Sequence, residues 1–299
     1  MSALDSTPSA LSSLRTPFKT ALVSTAGHCA TACGFCFRAD RAHGFLEIPT
    51  FTRALSRLKE IGVEGICLTG GEPVHHPQLR DLVRLAHQFG IAISMVTSAR
   101  TLTEVTDLEK ISHLLSNITV SADSAGAMEL GRTARSITTG IATLKAISTP
   151  VKVLHVTYWQ FTDDECRTMY EEILDADVEV QFSPVALDRT SQQRAGLTTW
   201  DYIHQQRHDA QQLNKYVQLS PRFQHHLAVL RDMQLHPKNE PCRSSALYVS
   251  ASGQIRRCPY GTAGVSVQEP RCSIRDYLSA EPQDSVTPEC AAICRPDRA

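Results

Sequence analysis

Three cysteines lie close together near the start of the chain, in the stretch His28-Cys29-Ala30-Thr31-Ala32-Cys33-Gly34-Phe35-Cys36-Phe37-Arg38. Their spacing is C-x3-C-x2-C. A closed structural zinc site needs four ligands, and no fourth cysteine stands nearby, although His28 or His43 could be recruited. A 4Fe-4S cluster held by three cysteine thiolates instead keeps one iron open for another ligand. The spacing therefore favours an iron–sulfur site at these cysteines, with zinc or unrelated thiols as alternatives.

A second motif, Leu68-Thr69-Gly70-Gly71-Glu72-Pro73, follows a predicted strand. Glycines let the backbone approach a ligand closely, a carboxylate accepts hydrogen bonds from an ammonium group, and proline stiffens the exit from a turn. Alone, such a run is most simply a turn. Paired with the cysteine triplet on an adjacent strand end, it indicates a ligand site.

The hydrophobic pattern predicts an α/β fold. Short β-branched or apolar runs alternate with longer segments of helical period, and the predicted strands are 20–24, 65–69, 91–97, 117–122, 151–157 and 178–183. Parallel strands need crossover connections, which these helices supply. Periodicity leaves open a doubly wound sheet or a partial barrel. In both, chemistry is expected in the loops after the strands, and the two motifs follow the first two strands.

Together these residues resemble the radical S-adenosylmethionine (radical SAM) superfamily, over about residues 18–184. In that family the C-x3-C-x2-C motif follows the first strand of a partial (β/α)6 barrel, and the residue in the position of Phe35 lies near the adenine ring. The GGEP motif, here Gly70, Gly71, Glu72 and Pro73, holds the methionine amino group. The resemblance implies this fold, a SAM-binding 4Fe-4S cluster and S-adenosylmethionine as cofactor.

The resemblance also extends to later strand ends. Thr97 and Ser98 match the position that contacts the ribose, and Ser121 and Asp123 stand where cofactor or substrate contacts are common. Each of these residues also fits a strand-end cap or turn. His155, on the fifth predicted strand, is more simply a satisfied interior histidine.

The family chemistry implies that the cluster donates an electron to the sulfonium, which releases methionine and a 5′-deoxyadenosyl radical that abstracts a substrate hydrogen atom. The expected substrate is a small metabolite, a sugar or a peptide, and the reaction is oxidation, epimerisation or bond formation. The expected electron donor is a protein such as flavodoxin or ferredoxin. A non-catalytic iron–sulfur or zinc protein that senses redox state or binds a partner is the alternative, and the GGEP motif argues against it.

Cysteines return at the end of the chain, where Cys242 and Cys258 bracket a predicted hairpin with its turn at Ser252-Gly253. This resembles the opening of the SPASM and twitch extensions, which implies that Cys290 and Cys294 complete a site for a second, auxiliary 4Fe-4S cluster. The closing pair is C-x3-C where C-x2-C is commoner, and the long cysteine array of a full SPASM domain is absent. A zinc ribbon is the other interpretation.

The remaining cysteines are less informative. Cys272 is an alternative cluster ligand, an ordinary thiol or a hydrogen-atom donor of an epimerase. Cys67 and Cys166 are most simply buried small hydrophobic residues.

A length of 299 residues exceeds the roughly 100–200 typical of one domain. We expect a disordered leader at 1–17, a radical SAM partial barrel at 18–184, a helical connection at 185–240 and a twitch-like auxiliary cluster domain at 241–299. The net charge of -1 argues against nucleic acid as a partner. The sequence contains neither a signal peptide nor a long apolar run, so we expect a cytoplasmic protein with no membrane partner.

Overall fold

The structure is a computed structural model of the chain. It describes residues 18–27, 29, 33–36, 44–174, 176, 178–187, 189–219, 221, 224, 227–228, 247–259, 261 and 263–280. Within these residues one sheet of nine strands carries the fold. In this part of the chain, helices are too short or too polar to cross a membrane.

The six predicted strands are confirmed, with each end within two residues of its predicted position. Three further strands follow near the end of the chain. The strands are β1 (Thr20–Ala26), β2 (Gly65–Gly70), β3 (Ala92–Thr97), β4 (Asn117–Asp123), β5 (Val151–Tyr158), β6 (Glu179–Pro184), β7 (Leu247–Val249), β8 (Gln254–Arg256) and β9 (Val265–Ser266).

Helices connect the parallel strands. They are α1 (Ile48–Glu60), a short 3-10 helix (Pro73–His75), α2 (Leu79–Gln88), α3 (Leu102–Ser112), α4 (Ala125–Gly131), α5 (Ile137–Ala146), α6 (Asp163–Leu174), α7 (Arg189–Arg194), α8 (Thr199–Leu213) and α9 (Arg271–Ser279). Several of the turns that start them have a visible local cause, among them those before α3, α4 and α5. Thr101, Ser124 and Ser136 each accept a hydrogen bond from a backbone N–H in the first turn of the following helix, which is the usual N-cap.

The neighbour order of the strands distinguishes the partial barrel from the doubly wound sheet. Strands β1 to β6 lie side by side in chain order and are all parallel. Because right-handed crossovers that always advance in one direction put every helix on the same side, the other side of the sheet is free of helices among the described residues. The predicted partial (β/α)6 barrel is confirmed. The described sheet does not close, and its edges are β6 and β9.

Burial along the strands separates the two sides of the sheet. The side that faces the helices is apolar and fully buried, and it includes Val23, Leu68, Met95, Ile118 and Leu154, each 0% exposed. The residues between them point to the other side of the sheet, because side chains alternate along a strand. We call that side the inner face, and many of its residues are half-buried.

The predicted hairpin also forms, and it joins the barrel sheet. Gly253 has φ +77° in its turn, and β7 and β8 pair antiparallel. β7 then pairs in parallel with β1, in register from Ala21 and Leu247 to Val23 and Val249. The first strand of the barrel is therefore covered on its outer edge by a strand from the end of the chain.

Candidate functional site

The cysteine loop follows β1 at its carboxyl end. Cys29, Cys33 and Cys36 are all half-buried, and the Cys36 N–H donates to the Cys33 carbonyl oxygen at 3.0 Å, so the last two cysteines lie on one tight turn. Within the described residues, no three His, Cys, Asp or Glu side chains come close enough together to hold a metal ion. The predicted ligands thus share one loop at the expected strand end, without a preformed cage of sulfurs.

Helix α4 supports this loop. The Gly34 N–H donates to the Gly131 carbonyl oxygen at 2.8 Å. The Phe35 ring lies against Gly131, since a Cβ built there would be 2.2 Å from the ring atom Cε1. Phe35 also packs against a small apolar cluster, separate from the main core, which we call the seat cluster: Ala127, Trp159, Val185, Leu187, Tyr202 and Ile203.

The glycine turn after β2 lies against the end of β1. Gly70 has φ +109°, and a Cβ on it would be 2.3 Å from Ser24 Oγ. The Gly71 N–H donates to the Ala26 carbonyl oxygen at 2.5 Å. Only glycine suits residue 70, because a side chain would be strained by the backbone and would collide with β1. The two sequence motifs are therefore joined at neighbouring strand ends.

Glu72 is buried at 3% exposure, and hydrogen bonds reach both of its carboxylate oxygens. Thr97 Oγ1 donates to Oε1 at 2.5 Å, while the Ser98 backbone N–H and Ser98 Oγ donate to Oε2 at 2.7 and 2.5 Å. The structure thus brings Glu72, Thr97 and Ser98 together, and the hydroxyl groups of the last two face the carboxylate. Pro73, buried beside them, starts the short 3-10 helix.

Asp123, at the end of β4, forms a buried ion pair that the sequence did not reveal. Arg135 donates to both of its carboxylate oxygens, with Nε at 2.8 Å and Nη2 at 2.6 Å, and Thr133 Oγ1 donates at 2.6 Å. The Asp123 side chain is fully buried and that of Arg135 is 13% exposed. Such paired hydrogen bonds are among the stronger polar contacts in proteins.

This ion pair acts on the cysteine loop. Burial raises the pKa of the Cys33 thiol, and the positive charge of Arg135 partly opposes that rise. Burial disfavours the charge on Arg135, but the hydrogen bonds and the charge of Asp123 raise the pKa of Arg135 above its usual value. A permanent cation is therefore held near the thiols.

The inner face carries a row of polar side chains below the motifs. Ser121, His155 and Gln181 are neighbours in register on β4, β5 and β6. His155 Nε2 and Ser183 Oγ lie 2.9 Å apart, at hydrogen-bond distance. Ser121, His155 and Ser183 are half-buried. The row offers hydrogen-bonding groups on the side of the sheet that the helices leave open.

Residues 23–173 match the family model described as the radical SAM superfamily. The chain belongs to the radical SAM superfamily. The matched range contains the cysteine loop, the glycine turn and the ends of strands β3 and β4. Ser183 and the later members of the seat cluster, from Val185 to Ile203, lie beyond it.

Curated relatives match parts of this radical SAM chain. A PqqA peptide cyclase of Ruegeria pomeroyi is 32% identical over 152 residues, which cover 47% of this chain and 40% of the relative. An S-adenosylmethionine-dependent nucleotide dehydratase of a Thermoplasmatales archaeon (strain ISO4-H5) is 29% identical over 117 residues, covering 38% of this chain and 42% of the relative. The chain thus matches less than half of the length of either relative.

Solved radical SAM structures share the fold over most of the chain. Streptococcus suis SuiB bound to its precursor peptide SuiA has a TM-score of 0.57 at 15% identity, covering 89% of this chain and 65% of SuiB. Coproporphyrinogen III oxidase (HemN) from Escherichia coli has a TM-score of 0.51 at 12% identity, covering 90% of this chain and 72% of HemN. At these identities the similarity shows the common fold.

The tail cysteines of this radical SAM chain are only partly described. Cys258 follows β8 and is half-buried, and Cys272 lies on α9 and is exposed. The predicted ligands Cys242, Cys290 and Cys294 lie outside the described residues. Of the two isolated cysteines, Cys166 is fully buried, as predicted, whereas Cys67 is only half-buried and shares the inner face with Ser94.

Proposed function

We propose that this chain binds a 4Fe-4S cluster through Cys29, Cys33 and Cys36 and cleaves S-adenosylmethionine with it. The observation that carries the proposal is the hydrogen bond from Gly71 to Ala26, which places the glycine turn against the strand that leads into the cysteine loop. The donor chemistry fits the group, because soft thiolates are the usual ligands of iron–sulfur clusters. When bound, the cluster and S-adenosylmethionine supply a 5′-deoxyadenosyl radical, which abstracts a substrate hydrogen atom.

The GGEP turn is proposed to bind the amino-acid end of S-adenosylmethionine. Gly70 and Gly71 lack side chains and present backbone groups at the strand end, where a ligand can approach closely. The hydrogen bonds from Thr97 and Ser98 hold the Glu72 carboxylate in one orientation. Because the carboxylate is already held in this orientation, it loses little further side-chain entropy when it binds an ammonium group. This preorganisation favours binding.

Arg135 is proposed to moderate the negative charge of the cysteine site. Three thiolates and a buried acid, Asp123, would repel one another in a region of low water content. The Arg135 guanidinium, held by two hydrogen bonds to Asp123, supplies the opposite charge close to Cys33. Arg135 thus cancels the charge that Asp123 would otherwise add beside the thiolates.

We propose a peptide as the substrate and oxidation as the reaction type. Peptide cyclases from three bacteria are 29 to 32% identical to parts of this chain, which supports a peptide substrate. The polar row at Ser121, His155 and Ser183 supplies hydrogen-bonding groups that suit peptide carbonyls and N–H groups. Cys242, Cys258, Cys290 and Cys294 would hold an auxiliary 4Fe-4S cluster, which would serve as an electron acceptor.

A nucleotide-like substrate is the second candidate, because the dehydratase relative acts on nucleotides by its name. The two candidates predict different products. The reduced protein is incubated with nucleoside triphosphates, or with peptides encoded beside it in the genome. Only one of these two classes of compound should be consumed, and only when S-adenosylmethionine is present.

The test of the cofactor proposal is anaerobic reconstitution followed by iron counting and an assay for 5′-deoxyadenosine. Dithionite replaces the physiological electron donor, for which we propose flavodoxin or ferredoxin. About eight irons per chain would support two 4Fe-4S clusters, and about four would exclude the auxiliary site. The proposal would be contradicted if the protein with its full iron content did not cleave S-adenosylmethionine, or if cleavage survived Cys33→Ala.

A further inference from the structure

The cysteine loop meets α4 at a residue without a side chain. A Cβ on Gly131 would lie 2.2, 2.8 and 3.0 Å from three atoms of the Phe35 ring, which is closer than Cβ atoms come to other groups in proteins. The backbones are close as well, since the Gly34 N–H donates to the Gly131 carbonyl oxygen at 2.8 Å. A side chain at residue 131 therefore requires the Phe35 ring to move.

The seat cluster, against which Phe35 also packs, is held in place by polar contacts. The rings of Trp159 and Tyr202 stack with centroids 5.5 Å apart. Tyr202 donates its hydroxyl proton to the Val185 carbonyl oxygen at 2.5 Å and accepts from the Leu187 N–H at 3.1 Å. The Phe35 ring thus packs against a cluster in which the residue after β5, the segment after β6 and α8 contact one another.

We propose that Gly131 is a positioning residue of the cofactor site. Its bare backbone, together with the seat cluster, seats the Phe35 ring and thereby sets the orientation of the loop between Cys33 and Cys36. The inference rests on the proposed function of that loop. It adds a supporting role for α4 and for Val185 to Ile203, which lie outside both sequence motifs.

The size of the required movement supports a functional effect. With alanine at residue 131, the ring atom Cε1 must move from 2.2 Å to at least 3.4 Å, where ordinary van der Waals contact begins. Preorganised sites tolerate displacements of roughly 0.5 Å. We expect Gly131→Ala to weaken the binding of S-adenosylmethionine, because Phe35 lies between the proposed ligands Cys33 and Cys36 and the Gly34 N–H ties the same turn to residue 131.

The experiment measures cofactor affinity by electron paramagnetic resonance. The reconstituted, dithionite-reduced full chain is titrated with S-adenosylmethionine, and the change in the cluster signal gives a dissociation constant. We expect Gly131→Ala to keep its iron and to bind S-adenosylmethionine about tenfold more weakly. A change of this size corresponds to the free-energy cost that is typical of overpacking. The matched control is Gly140→Ala in α5, where a Cβ would meet Leu154 Cδ1 at 2.7 Å, and its affinity should equal that of the wild type.

A double-mutant cycle identifies the contact. Leucine at residue 35 lacks the ring edge, so Gly131→Ala should weaken affinity much less in the Phe35→Leu background than in the wild type. If Gly131→Ala alone does not unfold cooperatively, Phe35→Leu should restore cooperative unfolding in the double variant, because the clash is with the ring; no such rescue would also overturn the inference. Equal effects in both backgrounds, or wild-type affinity in Gly131→Ala, would overturn the inference. A wild-type signal that does not respond to S-adenosylmethionine would instead overturn the proposed function.

Discussion

Thr97 Oγ1 donates a hydrogen bond to the Glu72 carboxylate at 2.5 Å and so ties the end of β3 to the glycine turn after β2. Both residues are buried, at 2% and 3% exposure. A buried carboxylate depends on such donors. Without Thr97, Oε1 would keep only the long 3.4 Å hydrogen bond from the Val74 N–H. The orientation of the GGEP turn therefore depends on the neighbouring strand.

Thr97→Val should destabilise the protein by about 1–3 kcal/mol, because it removes a donor from a buried carboxylate while keeping the shape of the side chain. Chemical unfolding followed by circular dichroism measures the change. Thr119→Val is the control, since the Thr119 hydroxyl makes only a 3.5 Å contact with Asn117 Oδ1 in the described structure. Equal stability of the two variants would show that Thr97 does not support Glu72.

Asp123→Asn should cost about 3–5 kcal/mol of unfolding free energy, because it leaves the buried Arg135 guanidinium without its charge partner. The corresponding control is Asp164→Asn, whose partner Arg167 is 57% exposed. Exposed pairs of that kind contribute about 0–1 kcal/mol. A small effect of Asp123→Asn, similar to that of the control, would argue against a structural role for the Asp123–Arg135 pair.

Gly70→Ala should be more destabilising than Gly62→Ala. Both glycines have positive φ, +109° and +91°, so both substitutions share the cost of left-handed backbone. Only at Gly70 would the new Cβ also collide, with Ser24 Oγ at 2.3 Å and the Ala26 carbonyl oxygen at 2.9 Å. The difference in unfolding free energy should be about 1–3 kcal/mol, and thermal or urea unfolding of the two variants measures it directly. Equal destabilisation of the two variants would mean that the turn after β2 adjusts to the added Cβ without a further loss of stability.

Asp209→Asn should change how stability depends on pH. Burial raises the pKa of Asp209 above its usual value of 3.8, against hydrogen bonds from Gln205 and the Phe161 backbone that lower it. Its Oδ2 atom has no hydrogen-bond partner in the part of the chain that the structure describes. The folded protein therefore binds this proton more tightly than the unfolded chain does.

The sign of the effect follows from that difference. The contribution of Asp209 to stability is fully present below pH 3.8 and is lost as the pH rises toward the elevated pKa of the folded state. An asparagine side chain cannot titrate, so Asp209→Asn should gain stability relative to the wild type as the pH rises from about 4 to 7. Urea unfolding across this range measures the gain. A parallel pH profile for wild type and Asp209→Asn would contradict the prediction.

Arg135 and Gly131 show why parts of the site could not be predicted. Arg135 follows Asp123 by 12 residues across the whole of α4, and no local period links a basic residue at that distance to an acid at a strand end. Gly131 contacts Phe35 only because α4 and the cysteine loop meet at the same edge of the sheet. The pairing of Thr97 with Glu72 spans 25 residues and has the same origin. The sequence alone showed only that a basic residue, Arg135, and a glycine, Gly131, follow the fourth strand.

The sequence by itself determined the six strands, the cysteine loop and the glycine turn, because each is encoded in a contiguous run with its own period or spacing. The two motifs also carried the resemblance to the radical SAM superfamily. The tertiary structure decided which strands are neighbours, that β7 covers β1, and which side chains hold Glu72, Asp123 and Phe35. These features depend on contacts between residues far apart in the chain. Such contacts are selected by packing of the whole sheet and its helices, which leaves no periodic trace in the sequence.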